Sequence, residues 1–179
     1  MQGERTNLNE LCRLRPMNIT AGVIHAVQGL AVLALANGFS LPVTGSFMDG
    51  PPGSPPPPSV VLFEFSFAWG VAGFLFLSAF AHWIVALPGI YPWYLANLMH
   101  SRNYARWIEY SLSSTLMIVL IALLTGISDG AALGAIAGVN ASMILFGLLM
   151  EHYEEPGRPN WLPFTFGSIA GMIPWLVVG

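Results

Sequence analysis

Charge is what this sequence has least of. Six cationic side chains, all arginine, and nine aspartates and glutamates make up 8% of 179 residues, against about a quarter in soluble domains. That scarcity argues against a water-facing surface on all sides. Lysine is absent altogether. The net charge of −3 gives no basic surface for nucleic acid, so no nucleic-acid partner is expected. The single cysteine, Cys12, cannot close an internal disulfide and says little about compartment. No solenoid period recurs. Short metal-ligand spacing of the HExxH kind is missing too, so no metal site is expected.

What the chain has instead is apolar length. Hydrophobic residues make up 55%, and mean hydropathy is +0.65. Five continuous apolar stretches, at about 17–37, 60–87, 106–127, 131–151 and 161–179, each reach the roughly 20 helical residues that cross a hydrocarbon core. Within a bilayer only helices or closed barrels satisfy the backbone. The runs are continuous rather than alternating, so helices are expected. The fold class is an all-α transmembrane helical bundle, one domain over 1–179, multi-pass in the cell membrane with the bilayer as its first partner. Ala34-Leu35-Ala36 resembles a signal-cleavage pattern, but His25 and Gln28 interrupt the preceding run, and a signal core is uninterrupted. The first stretch is therefore expected to stay as a span.

Arginine placement sets the orientation. Arg5, Arg13 and Arg15 precede the first span, Arg102 and Arg106 lie between the second and third, and Arg158 lies between the fourth and fifth. The connections 38–59 and 128–130 hold none. The positive-inside rule then makes the N-terminus cytoplasmic. The outer Pro-rich loop, 38–59, has strand-compatible Val43, Thr44 and Phe47, followed by Pro55 to Pro58. It reads either as a linker ending in polyproline II or as a short β-like hairpin that packs on the protein or on a partner.

Depth brings the rare polar residues together. At 1.5 Å per residue, His25 lies about 12 Å in from the arginine side, His82 about 8 Å and Glu109 about 5–8 Å. Gln28, Ser78 and Ser113 sit one helical turn from His25, His82 and Glu109, on the same faces. The expectation is a buried polar cavity formed by His25, Gln28, Ser78, His82, Glu109 and Ser113. A plainer account has Glu109 pair with Arg106 three residues earlier and snorkel to the surface. Yet carboxylates inside a membrane cost several kcal/mol and are functional by default. Glu64 and Glu151 are expected at the interface, and Asn140 as interhelical glue or a pocket residue. Gly134, Gly138 and Gly147 are expected to admit close neighbours. Met143, Ile144, Phe146, Phe164, Phe166, Pro174 and Trp175 can line a flat apolar pocket, or simply form core.

Several blocks closely resemble heliorhodopsins: LAVLALANGFSLPVTG (30–45), MDGPPG (48–53), SAFAHWIV (78–85), RWIEYSLSSTLMIVLIA (106–122), GVNASMILFGLLMEHY (138–153) and FGSIAGMIPW (166–175). The resemblance implies a seven-helix rhodopsin-like fold, of which these spans would be the first five. It implies retinal as cofactor and a photoreceptor that senses or signals rather than pumps, not an enzyme. It further implies homodimers that meet through a small sheet in the first outer loop, and a cytoplasmic N-terminus. The signalling partner stays unidentified. By motif match Glu109 is the Schiff-base counterion, while His25, His82, Ser78 and Gln28 belong to the polar cavity. Asn140, Met143, Ile144, Pro174 and Trp175 belong at or near the retinal pocket. Apart from the resemblance, Arg106 and Glu151 are expected to take part in ion pairing on the cytoplasmic side. A protonated retinal imine beside Glu109 would stabilise the carboxylate.

The sequence departs from that pattern in having no lysine, the amine a retinal imine needs. A shortened chain of an ordinary heliorhodopsin is the first expectation. A non-photoactive five-helix scaffold is the alternative, and a proton-conducting channel the third.

Overall fold

The structure, a computed structural model, describes residues 2–55, 57–155 and 157–179, with side chains from residue 13 onward. In chain order the elements are α1 (Gln2–Ala34), β1 (Ser40–Gly45), β2 (Val60–Ser66), α2 (Phe67–Ala86), α3 (Tyr91–Met99), α4 (Tyr104–Leu124), α5 (Gly130–Tyr153) and α6 (Leu162–Val178). Four stretches are long and apolar enough to cross a membrane: Arg13–Ala34, Phe67–Ala86, Tyr104–Leu124 and Gly130–Tyr153. The 17-residue α6 is a further apolar helix, about 26 Å long at the helical rise. The fold is a helical membrane bundle with one small sheet.

Local chemistry explains most boundaries. Asn103 accepts a hydrogen bond from the Arg106 amide (3.1 Å) and so caps α4, while Asp129 accepts from the Ala132 amide (2.8 Å) and caps α5. Each cap satisfies an orphan donor of the first turn. Proline occupies the first turn of α3 and of α6, where the lost amide costs nothing. Pro16 sits inside α1, which runs through it.

Three expected boundaries change. The polar segment ahead of Met17 is helical from Gln2, continuous with the span; the side chains of Arg5 and Cys12 lie outside the described residues. The second apolar stretch does not begin as helix. Val60–Ser66 is a strand, paired antiparallel with Ser40–Gly45 from Ser40↔Ser66 to Gly45↔Val60, with a bulge between Val43 and Thr44. β-Branched and aromatic residues favour an extended chain, and an apolar run alone does not separate strand from helix. The polyproline segment includes Pro56, which lies outside the described residues. Finally, the connection 88–105 contains the helix α3.

The hairpin folds back onto the bundle. The Thr44 amide donates to the Ser128 carbonyl (2.8 Å), and the Thr44 and Ser128 hydroxyls are 3.1 Å apart. This clamps β1 to the α4–α5 turn. Beneath it lies the apolar core: Val43, Ile118, Ala122, Leu123, Leu133 and Ile136, flanked by Leu41, Phe65, Val119, Ile127 and Val178. α1 and α2 approach through glycine seats. Gly22 receives the Trp83 indole and Gly29 the Phe76 ring, where a Cβ would clash. Gly147 receives Trp107 in the same way, joining α4 to α5. Gly134 and Gly138 face open space instead, so neither admits a close neighbour. Large apolar side chains outside these contacts are exposed, as a lipid-facing surface requires.

Candidate functional site

The arginine-side ends of α1, α2, α3 and α4 enclose a cavity of about 380 Å³. Its lining includes Asn18 and His25 from α1, Ser78 and His82 from α2, Tyr94 from α3, and Arg106 and Glu109 from α4. The Ser78 hydroxyl donates to Glu109 Oε1 at 2.6 Å. This bond satisfies part of the hydrogen-bonding capacity of the half-buried carboxyl group. The two imidazoles stack, with centroids 5.6 Å apart and planes at 9°. His82 Nδ1 lies 2.7 Å from Asn18 Oδ1. With the amide oxygen as acceptor, Nδ1–H is the donor. His25 Nδ1 is buried and has no hydrogen-bond partner among the described residues.

Arg106 turns away from Glu109. It forms an ion pair with Glu151 Oε1, and Glu151 Oε2 accepts from the Asn103 amide at 2.7 Å. One carboxylate thus engages the start of α4 from the end of α5. The guanidinium also lies 4.5 Å from the centre of the Trp107 ring. Next to this pair, Tyr104 and Arg102 hold His152: the Tyr104 hydroxyl is 2.6 Å from its Nδ1, and Arg102 donates to its carbonyl at 3.0 Å.

A second cavity, of about 920 Å³, lies between α5 and α6 with Trp107 on its wall. Met143, Ile144, Phe146, Phe164 and Trp175 line its apolar part, and Glu151, Glu154 and Glu155 stand at the arginine side. Its volume falls in the range of small-molecule sites. Arg106 lines the first cavity and its partner Glu151 the second, so the ion pair stands between them.

Of the residues singled out by depth, the structure brings His25, Ser78, His82 and Glu109 to one cavity. Ser113 is buried one turn deeper on α4 and does not line it. Gln28 is exposed on α1 and does not line it either. The contact face of α1 is set by Gly22 and Gly29, and three residues beyond His25 the helix has turned Gln28 about 60° aside. Asn140 is buried and joins α5 to α4, donating to the Ser114 and Thr115 hydroxyls at 3.0 Å each. It and the buried Pro174 lie outside both linings, whereas Met143, Ile144 and Trp175 line the apolar cavity. Sequence reasoning missed Asn18 and Tyr94. Asn18 sits seven residues, nearly two turns, before His25, a spacing that places both on one face. Tyr94 carried no signal, because its helix was unforeseen. Among the described residues no cluster of three metal-ligating side chains occurs.

These features define a class: a multi-pass helical membrane protein with a carboxylate and two imidazoles, each half-buried, gathered in one cavity at one end of its bundle, beside a large apolar cavity. The model of the family Heliorhodopsin matches residues 14–179, and the chain belongs to that family. A search of curated proteins finds no match. The family consists of rhodopsin-like retinal proteins, photoreceptor-type rather than enzymatic. The residues present fit that cofactor in one respect and not in another. The apolar cavity suits a polyene, and Glu109 suits a neighbouring cation. No side chain of the 179 residues supplies the amine for a covalent link.

Proposed function

We propose that these 179 residues form five of the membrane helices of a retinal photoreceptor that senses or signals light rather than pumping ions, with Glu109 as the carboxylate facing the cofactor's cation. The observation that carries this reading is that Glu109 shares its cavity with Arg106 and yet, among the described residues, the ion pair of Arg106 goes to Glu151. One oxygen of Glu109 is held by the Ser78 hydroxyl. A carboxylate so placed keeps its charge available for a cation from elsewhere. When bound, retinal supplies the absorption of visible light and the change of shape that follows. Ser78 orients the carboxylate. Asn18 holds the His82 ring, and His25, stacked on His82, presents an unpartnered nitrogen that can hold water. Met143, Ile144 and Trp175 wall the apolar cavity, while Asn140 and Pro174 shape the helices behind it.

The outer half supports sensing over pumping. Past Ser113 the buried side chains of α4 are Ile118, Leu120, Ala122 and Leu123, and the hairpin closes over them. Apart from Asn140 with Ser114 and Thr115, the described buried side chains at this level are apolar, which supports the reading against an ion path. We further propose that the arginine side is cytoplasmic, on the positive-inside rule, and that two copies meet through the exposed strand Val60–Phe63. One observation favours a second reading, a non-photoactive membrane scaffold: the absence of lysine.

One experiment separates the two. The 179-residue chain is expressed alone, and also with a lysine-bearing two-helix segment of the family supplied as a continuation, each with all-trans retinal. The chain alone should give no visible pigment, and the continued chain should give one. In the continued chain Glu109→Gln should replace the visible band by a near-ultraviolet one at neutral pH, or shift a surviving band to the red. Glu109→Gln with an unchanged spectrum would make Glu109 structural. A continued chain that folds but binds no retinal would favour the scaffold.

A further inference from the structure

The connection between α2 and α4 is not a plain loop. α3 spans nine residues, Tyr91–Met99, about 14 Å of helix and far short of the roughly 30 Å of a hydrocarbon core. It sits between the arginine-side ends of two spanning helices, so it lies at the level of that membrane face. Its exposure pattern is sharply two-sided. Pro92, Trp93, Ala96, Met99 and the following His100 are exposed, with Trp93 at 48% and Met99 at 71%. Tyr91, Tyr94, Leu95, Asn97 and Leu98 are half-buried. At 100° per residue the exposed set occupies one continuous arc of about 120° and the half-buried set the rest.

The outer arc has the wrong chemistry for water. A helix lying on a soluble surface turns polar and charged residues outward. α3 contains no charged residue, and its outward side chains before His100 are Pro, Trp, Ala and Met. Tryptophan at a bundle end is the residue type of the headgroup level. Leu87, just past the end of α2, is likewise exposed.

The helix is also held in place. Arg15 donates to the Ala86 carbonyl (2.9 Å) and lies 5.8 Å from the centre of the Tyr91 ring. Trp93 stacks on Tyr104 with centroids 6.4 Å apart, and the Arg102 amide closes the end onto the Asn97 carbonyl (2.9 Å). Its inner side reaches the polar cavity through Tyr94.

From this we infer that α3 is an in-plane membrane anchor. Its Trp93–Ala96–Met99 face lies in the headgroup–acyl boundary of the arginine-side leaflet, and the lipid thereby positions the floor of the polar cavity. An interfacial helix with an apolar face is the known physical solution for a segment that lies on a bilayer without crossing it. The inference rests on the membrane fold and is independent of retinal.

The full chain, with Cys12→Ser, is placed in lipid nanodiscs and spin-labelled through Ala96→Cys, through Met99→Cys and, as an aqueous control, through Glu155→Cys. Collision rates with oxygen and with a water-soluble nickel chelate are compared. Oxygen should exceed the chelate at 96 and 99, and the chelate should exceed oxygen at 155. Chelate exceeding oxygen at both 96 and 99 would place α3 in water and overturn the anchor. Low access to both reagents at 96 and 99 would mean that a second copy covers the face, and would overturn it equally. Agreement between the two labelled positions guards against a local effect of either substitution.

Discussion

The two ends of this bundle solve opposite problems. At the arginine side, α1 to α4 surround a polar cavity in which Ser78 bonds to Glu109 and His82 to Asn18, while Arg106 reaches out of it to Glu151 on α5. At the outer end, α4, α5 and the hairpin pack Val43, Ile118, Ala122, Leu123, Leu133 and Ile136 together, with the Thr44 and Ser128 hydroxyls meeting at the edge of that core. Ala122 is wholly inaccessible. Polarity inside a membrane is costly unless partnered, so the wet end must be specified group by group. The dry end needs only volume and shape. Substitution should therefore act differently at the two ends. The outer end should reject charge but tolerate apolar exchange. The cavity should accept polar exchange but punish the loss of one partner from a pair.

The largest effect should come from making the dry end wet. Ile118→Asp puts a carboxylate into the outer core with no partner nearby. Its cost should be on the order of 4 kcal/mol or more, read as loss of the folded fraction in unfolding titrations from mixed micelles. Ile118→Val should cost about 1 kcal/mol. If Ile118→Asp is as mild as Ile118→Val, the outer end is not a sealed core.

The next effect belongs to the cavity. Ser78→Ala removes the hydroxyl that donates to Glu109 and should cost about 2 kcal/mol. In the Glu109→Gln background the same substitution should cost clearly less, since the charged acceptor is gone. Equal costs in both backgrounds would show that the two side chains do not act as a pair.

How far the sequence foretold this structure depends on the kind of signal. Apolar length located the helices, because twenty continuous apolar residues have few other solutions in a bilayer. Depth along those helices found His25, Ser78, His82 and Glu109, because rise per residue is fixed. Length misled at Val60–Ser66, where the same apolar character serves a strand that needs Ser40–Gly45 beside it. That pairing is a long-range fact that no local window contains. α3 was missed because a nine-residue helix with apolar residues on both faces has no contrast to detect. Gln28 was placed by spacing from His25, but the orientation of α1 is decided by Gly22 and Gly29 meeting Trp83 and Phe76. Arg106 and Glu151 were each expected in ion pairing at the arginine side, whereas their joint contact with the start of α4 through the Asn103 amide appears only in three dimensions.

A third prediction lies between the two ends. Asn140 bridges α5 to α4 through Ser114 and Thr115, at a level where the cavity has ended and the apolar core begins. Interhelical side-chain hydrogen bonds in membranes average about 0.6 kcal/mol and reach about 1.7. Asn140→Leu should therefore cost about 1 kcal/mol, measured in the same micelle titrations. An increase in stability would show that packing governs this level as it does the outer end.

The smallest effect should be at Gln28, and it sharpens the boundary of the wet end most directly. Gln28 lies on the same helix as His25 and less than one turn away, yet it is exposed and outside the cavity lining. If the cavity is specified group by group, a polar residue that does not face it contributes nothing to it. Its exposed side then meets lipid, where an amide has no advantage over a methylene chain. Gln28→Leu should change stability by less than about 0.5 kcal/mol, the usual limit for surface positions. His25→Leu, one turn nearer the arginine side, removes a ring stacked on His82 and should cost measurably more. A loss at Gln28 equal to that at His25 would mean that the polar cavity extends one turn further toward the membrane centre than the packing of α1 on α2 allows.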